Sequence, residues 1–283
     1  MKKVYFLTYL LVLVAVVAEA QSFYAIRRSR SIIFSAGTGT STYFGELKSK
    51  GGYIDPRINM NAGLQYFVVP QVAVRGEVSW FRLGGDDAGA NGAYATRNLS
   101  FVSNNFEASI TGALHLKPMN YRYYQRPAFN AYVFTGIGIL YFNPRAELDG
   151  VMYPLQPMMT EDVDYSRTQI VIPVGAGIKL KAGPFFNFVV EGGYRKTFTD
   201  YLDDVSTVHP DKSTWTNPIR VALSDRGPEI DAAPRRAGAV RGNPDKKDGY
   251  FLMNLKVEYY LPASFGGSRK PQSYRKKRRP YNR

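Results

Sequence analysis

From Arg57 to Phe81 the chain alternates polar and apolar residues almost without a slip. Ile58, Met60, Ala62, Leu64 and Tyr66 stand against Arg57, Asn59, Asn61 and Gln65, and Val72, Val74, Val78 and Trp80 stand against Gln71, Arg75, Glu77 and Ser79. Strand side chains point to opposite faces with a period of two, so each run has one apolar and one polar face. Val69-Pro70 between the runs predicts a tight antiparallel reversal. Six further runs predict strands: Ser31 to Leu47, about Leu99 to Lys117, Ala128 to Phe142, Thr168 to Gly183, Phe185 to Leu202 and Gly249 to Leu261. Each is longer than the roughly 9–11 residues that a tilted strand needs to cross a bilayer.

In the fourth strand Phe106, Ala108, Ile110, Leu114 and Leu116 share one face, with Glu107, Ser109, Thr111, His115 and Lys117 on the other. In the last, Phe251, Met253, Leu255, Val257 and Tyr259 oppose Asn254, Lys256 and Glu258. The fifth is apolar on both faces, so its orientation stays open. Pro173 removes one ladder donor from the sixth and predicts a bulge or local weakness there.

Two architectures fit such strands, a sandwich whose apolar faces meet and a membrane barrel whose apolar face meets lipid. The connections decide between them. They run long from Lys48 to Pro56, short at Val69-Pro70, long from Leu83 to Asn98, moderate from Pro118 to Pro127, long from Asn143 to Arg167, short at Gly183-Pro184 and very long from Asp200 to Lys247. Short turns at one end and long loops at the other are the habit of outer-membrane barrels, in which an even strand number leaves both termini in the periplasm. The expected fold is all-β: an eight-stranded antiparallel transmembrane β-barrel with long extracellular loops and lipid around it. Eight strands leave an interior that side chains fill. Arg75, Glu77, Glu107, Lys179, Glu191, Lys256 and Glu258 then point inward. They are expected to pair with one another as a plug, rather than to line a conduit or a catalytic cleft.

The N-terminus fits export. Lys2 and Lys3 precede an apolar run from Val4 to Val17, followed by Ala18-Glu19-Ala20, the layout of a cleavable signal peptide over residues 1–20. The run is shorter than the roughly 20 residues of a spanning helix, and every later apolar run is broken by polar residues or Gly. Residues 21–30 are expected to form a periplasmic N-terminal segment and 31–261 the barrel. The chain has no cysteine, so an exported protein of this kind must rest on an extensive hydrogen-bonded sheet, and a closed barrel supplies one without an edge. The net charge of +14 raises nucleic acid as a partner, and export argues against it.

Candidate chemistry is sparse. The two histidines are His115 and His209, and a hydrolase dyad would have to join His209 to Ser206 or Ser213. No strained nucleophile turn or orienting acid accompanies them, so no catalytic residue, metal or cofactor is assigned. Asp200, Asp203 and Asp204 lack the ligand ladder of a calcium loop and read as capping or loop-packing groups. The Gly-rich runs "GTGT" and "GIGIL" keep the strand alternation and mark close packing or bulges rather than phosphate cradles.

Residues 262–283 form a tail with no acids and almost no aliphatics, which cannot bury enough surface to fold alone. Arg269, Lys270, Tyr274, Arg275, Lys276, Lys277, Arg278 and Arg279 make it a disordered basic arm on the periplasmic side, fit to dock on an acidic protein, anionic headgroups or peptidoglycan carboxylates. A solubilising tail is the plainer alternative.

Five segments carry a resemblance. "TYFGEL" at Thr42 to Leu47 is similar to a Tyr-x-Gly-Asp-Leu signature, with Glu46 where Asp is usual. "RNLSF" at Arg97 to Phe101, "NNFEASI" at Asn104 to Ile110, "TDYLDDVST" at Thr199 to Thr207 and "DGYFLMNLKVEYYL" at Asp248 to Leu261 follow in order. Together they resemble the PorG-like outer-membrane component of the Bacteroidetes type IX secretion system, within the OmpA/OmpX-like barrels. The resemblance implies a non-enzymatic role in protein secretion and gliding motility. It implies an anchor that contacts a periplasmic ring of a lipoprotein and its partner, beneath the outer-membrane translocon. A surface barrel working through its loops as an adhesin or resistance protein is the alternative.

Overall fold

The computed structural model describes residues 30–47, 56–87, 96–119 and 123–262. The expected signal peptide, nearly all of the segment after it, and the basic arm with Arg269 to Arg279 lie outside the described residues.

The strands are β1 (Ile32–Phe44), β2 (Arg57–Val69), β3 (Val72–Asp86), β4 (Ser100–His115), β5 (Phe129–Tyr141), β6 (Pro144–Leu148), β7 (Val151–Pro154), β8 (Thr168–Ala182), β9 (Phe186–Thr197) and β10 (Gly249–Tyr260). All but β6 and β7 form the barrel. Each pairs antiparallel with its neighbours, and β1 closes the ring on β10 from Ile33↔Tyr260 to Phe44↔Gly249. The eight expected runs are therefore the eight staves of a closed barrel.

The alternation becomes two surfaces. Outward side chains such as Ile110, Leu116, Val133, Ile137 and Leu255 are exposed, Ile110 at 64%. Inward ones such as Asn59, Glu107, Glu191 and Asn254 are 0–1% exposed. This is a polar-in, apolar-out barrel, the arrangement that lipid rather than water selects. Among the described residues no helix is long and apolar enough to cross a membrane, so crossing falls to the strands.

The open question of β5 resolves with Val133, Ile137 and Ile139 outward and Tyr132, Phe134 and Leu140 inward. Its inner face is apolar because it packs into the aromatic part of the lumen. Pro173 makes no bulge. The β5–β8 register is the same on either side of it, and only the pairings of Gly136 and Ile137 lapse opposite it. The register shift instead lies between Phe67 and Val69, and the reversal is the two-residue turn Pro70-Gln71.

The loop from Asn143 to Arg167 also holds structure that the strand pattern does not predict. β6 continues the ladder of β4 through Ser103↔Pro144 and Val102↔Arg145, then folds back as β7. Asp149 and Gly150 both have positive φ, 52° and 78°, as a type I′ hairpin turn requires. In the longest connection, α1 (Pro218–Ser224) begins where the Asn217 side chain accepts from the Ile219 and Arg220 amides, a standard N-cap. These loops fold over the barrel mouth. Leu47, Leu155, Leu202, Val205 and Leu223 join the inward Phe81, Leu140 and Leu252 in one buried apolar cluster.

Candidate functional site

The lumen holds four cations and four carboxylates. The Arg75 guanidinium donates twice to Glu191, once at 3.1 Å, and its Nε lies 3.6 Å from Glu77. Lys256 Nζ donates to Glu77 at 2.6 Å and to Glu191 at 2.9 Å. Tyr132 OH completes the Glu191 shell. Toward the short turns, Lys179 donates to Glu258 at 2.6 Å and to Gln65 at 3.1 Å. Toward the loops, Arg195 Nε lies 3.5 Å from Glu107, which also accepts from Tyr250 OH at 2.8 Å. All these charged groups are at most 7% exposed. Charge removed from water must be paired to be tolerated, and here each cation faces a carboxylate. The seven charged residues expected inward lie in this network. Arg195 is its eighth member, legible in the sequence as the residue four past Glu191, on the same face of a strand.

The glycines explain how so many large side chains fit. A Cβ on Gly177 would sit 2.6 Å from the Tyr132 ring, one on Gly175 would sit 2.5 Å from the Phe134 ring, and one on Gly37 would sit 2.6 Å from Lys256 Cγ. Absent side chains on one stave make room for long ones from the next. Gly37 and Gly39 of "GTGT" and Gly136 and Gly138 of "GIGIL" face this interior and serve close packing.

His115 is inward near the short turns. Its ring stacks on Tyr132 at 5.0 Å and tilts against Phe67 at 4.8 Å. The short-turn end is closed by Arg126, which donates to Asn187 at 2.7 Å and to the Pro184 carbonyl at 2.8 Å. Arg30 lies over the Phe185 ring at 4.3 Å.

The long-loop end is closed by the segments of the resemblance. Tyr43 of the first packs edge-on against Phe101 of the second at 5.0 Å. Its hydroxyl lies 2.7 Å from both Asp203 and Asp248, of the fourth and fifth. Asp203 also accepts from the Val205 amide and Asp248 from the Leu202 amide, each at 3.0 Å. Arg97 makes a two-pronged pair with Asp87 at 2.8 and 2.7 Å, and Glu46 lies 4.0 Å from it. Glu161 accepts from the Ser206 and Thr207 amides at 2.9 Å and from Arg241 at 2.8 Å. Asp204 accepts from Tyr165 OH at 2.7 Å and from Thr160. Asp203 and Asp204 thus latch loops. Among the described residues no group of three or more acids or histidines could hold a metal ion. His209 and Ser206 are both buried, with no hydrogen bond between them, and Ser213 is exposed.

A phenol has one proton to give, so one carboxyl of the Asp203–Asp248 pair must itself be protonated where both approach Tyr43. Burial raises both carboxyls, and Asp203 adds to the rise at Asp248. Burial also pushes Asp204 up to about 6 and Asp200 up to about 7. Glu161 goes the other way: burial opposes its charge, but Arg241 and the Ser206 amide hold it below the usual carboxylate range. A raised carboxyl contributes stability that is complete below its unfolded value, about 4, and is lost as pH rises through its folded value. The cap is therefore expected to loosen progressively between about pH 4 and 8. A thermal melt followed by tryptophan fluorescence should fall from pH 5.5 to 8.5, and fall less in the Asp203→Asn, Asp248→Asn double variant, where Asp200 and Asp204 still contribute. Equal transitions at both pH values in the native chain would refute the shared proton.

A family model described as "Domain of unknown function (DUF6089)" matches residues 4–219, more than half of the chain. No curated protein matches. Among solved structures, Neisserial surface protein A aligns at 7% identity over 81% of this chain and 97% of its own, with a TM-score of 0.43. A major outer membrane protein from Thermus thermophilus aligns at 11% identity over 82% and 100%, TM-score 0.42. The N-terminal β-barrel domain of OprF from Pseudomonas aeruginosa aligns at 9% over 81% and 97%, TM-score 0.38. The architecture described here stands on the strand pairing itself.

Proposed function

The chain belongs to the DUF6089 family, and from that premise we propose that it is a non-enzymatic barrel of the bacterial outer membrane serving as an anchor in the type IX protein secretion machinery. The observation that carries an anchor rather than a conduit is the lumen, filled by charged side chains paired across it and closed at both ends by Arg126 and by the loop cap. A barrel so filled acts through what it holds and touches. The apolar exterior supports the membrane location, with short turns and both termini on the periplasmic side. The sequence resemblance supports the machinery, and four of its five segments contribute side chains to one cap.

On this reading the basic arm from Arg269 to Arg279 docks on the periplasmic ring, a lipoprotein with its partner, and the barrel lies close to the translocon. Truncation after Leu261 is expected to leave a folded, heat-modifiable barrel while weakening bulk secretion. In a pull-down from solubilised envelopes, the ring proteins should accompany the full chain and leave with the arm. Full secretion by the truncated chain would sink the docking role. The ordered cap favours a second reading, a surface barrel acting as an adhesin or resistance protein, because it presents exposed Val151 and Met152 on the β6–β7 hairpin. Trimming that hairpin would impair such a function and leave secretion untouched.

A further inference from the structure

On the outer wall of the barrel, near the long loops, β3, β4, the end of β5, β6 and the residue before β8 carry two parallel rows of side chains. The lower row is aromatic: Trp80 pairs with Phe106, and Phe106 with Tyr141, across successive strands. The upper row is cationic and amidic. Arg82 lies opposite Asn104 and donates to its side-chain oxygen at 3.0 Å. Asn104 adjoins Ser103, whose pairing with Pro144 extends the β4 ladder past Asn143. With its oxygen turned toward Arg145, the Asn143 amide accepts two N–H groups at 3.2 and 3.3 Å; turned the other way, it accepts from Arg167 at 3.5 Å instead.

Each row explains the other. The Arg82 guanidinium lies 5.6 Å from the Trp80 ring and that of Arg167 lies 5.5 Å from the Tyr141 ring, so the aromatics hold the cations upright at the upper edge of the apolar belt. Aromatic girdles mark the level at which hydrocarbon gives way to headgroups. Among the described residues none of the three guanidiniums is ion-paired with a carboxylate. Deeper in the lumen, by contrast, Arg75 and Arg195 each face one. Three cations left without acids at headgroup level, facing outward, call for an external anion, and the guanidinium fork matches phosphate.

We propose that this wall binds the headgroup of a phosphorylated glycolipid with two phosphates at opposite ends of a disaccharide. The spread of the site argues for that headgroup over a single phosphate. From β3 to Arg167, just before β8, there are three inter-strand steps, about 14 Å at the usual strand spacing, while Arg145 on β6 lies two steps away. Arg82 at one end and Arg145 with Arg167 at the other suit two separated phosphates, and Asn104 and Asn143 between them suit sugar hydroxyls. The choice of lipid rests on the proposed outer-membrane placement, with the long loops on the outer face.

The test uses purified full-length protein in detergent, so it does not depend on any role in secretion. Native mass spectrometry with diphosphoryl lipid A should show the wild-type chain retaining one lipid. The triple variant Arg82→Gln, Arg145→Gln, Arg167→Gln should bind at least tenfold more weakly while keeping the heat-modifiable migration of a folded barrel. Lys196→Gln, which removes an outward cation on β9, should bind like wild type, and Trp80 fluorescence in a Trp215→Phe background should respond to lipid A titration. Undiminished binding by the triple variant, or equal binding of lipid A stripped of its phosphates, would overturn the site. Phosphatidylglycerol retained as strongly as lipid A would overturn the two-phosphate headgroup.

Discussion

Glu191→Ala is expected to destabilise the barrel by about 3–5 kcal/mol, the usual result of removing one partner from a buried charge pair. Glu191 is 1% exposed and accepts from Arg75, Lys256 and Tyr132. Without it, Arg75 and Lys256 share Glu77 as their nearest carboxylate, and one buried positive charge is left over. Restoring the balance should restore stability: Lys256→Met in the Glu191→Ala background should cost less than the two single changes added together. Urea unfolding in phosphatidylcholine vesicles measures all three variants. Strict additivity would mean that the lumen is wet enough to screen these charges, and the plug would then be no plug.

Ile110→Arg tests the other face. Ile110 lies outward on β4 between Gly76 and Ile137, near the middle of the apolar stretch from Phe106 to Leu116, and is 64% exposed. If that exposure is to hydrocarbon, the arginine costs about 2–4 kcal/mol, the penalty for a cation at the bilayer midplane of a barrel. If it were to water, the substitution would be within the roughly ±0.5 kcal/mol of an ordinary surface change. Ile110→Leu provides the volume-matched control. The same unfolding titration in vesicles gives the answer, and a neutral arginine would contradict a lipid-facing wall.

The two experiments probe the inversion that organises the molecule. Polar side chains are buried and apolar ones exposed because solvent and interior have changed places. The lumen is small enough to need paired charges, and the outside is apolar enough to need a bilayer.

The strands were legible in the sequence, most of them to within a few residues at each end, because alternation is a local property: each residue's face follows from its neighbours two away. The alternation of long and short connections was legible too, and with it closure into a barrel. The seven inward charges could be named from strand parity alone. The sequence did not show which charges meet. Arg75 and Glu191 are 116 residues apart, and their contact depends on how β3 and β9 face one another across the closed ring, which no local pattern encodes. The orientation of β5 was hidden for a related reason: where the lumen is filled by rings rather than charges, both faces of a strand are apolar and parity loses its contrast. The β6–β7 hairpin carried its signature in Asp149-Gly150, but the brevity of its strands hid it from a search for membrane-length runs. The cap was the least legible. Tyr43, Phe101, Asp203 and Asp248 come from four distant segments; a capping or loop-packing role for Asp203 was legible, but not the partners it would meet. Only the barrel, by bringing the ends of its staves to one rim, places them under a shared roof where burial makes a carboxyl hold its proton.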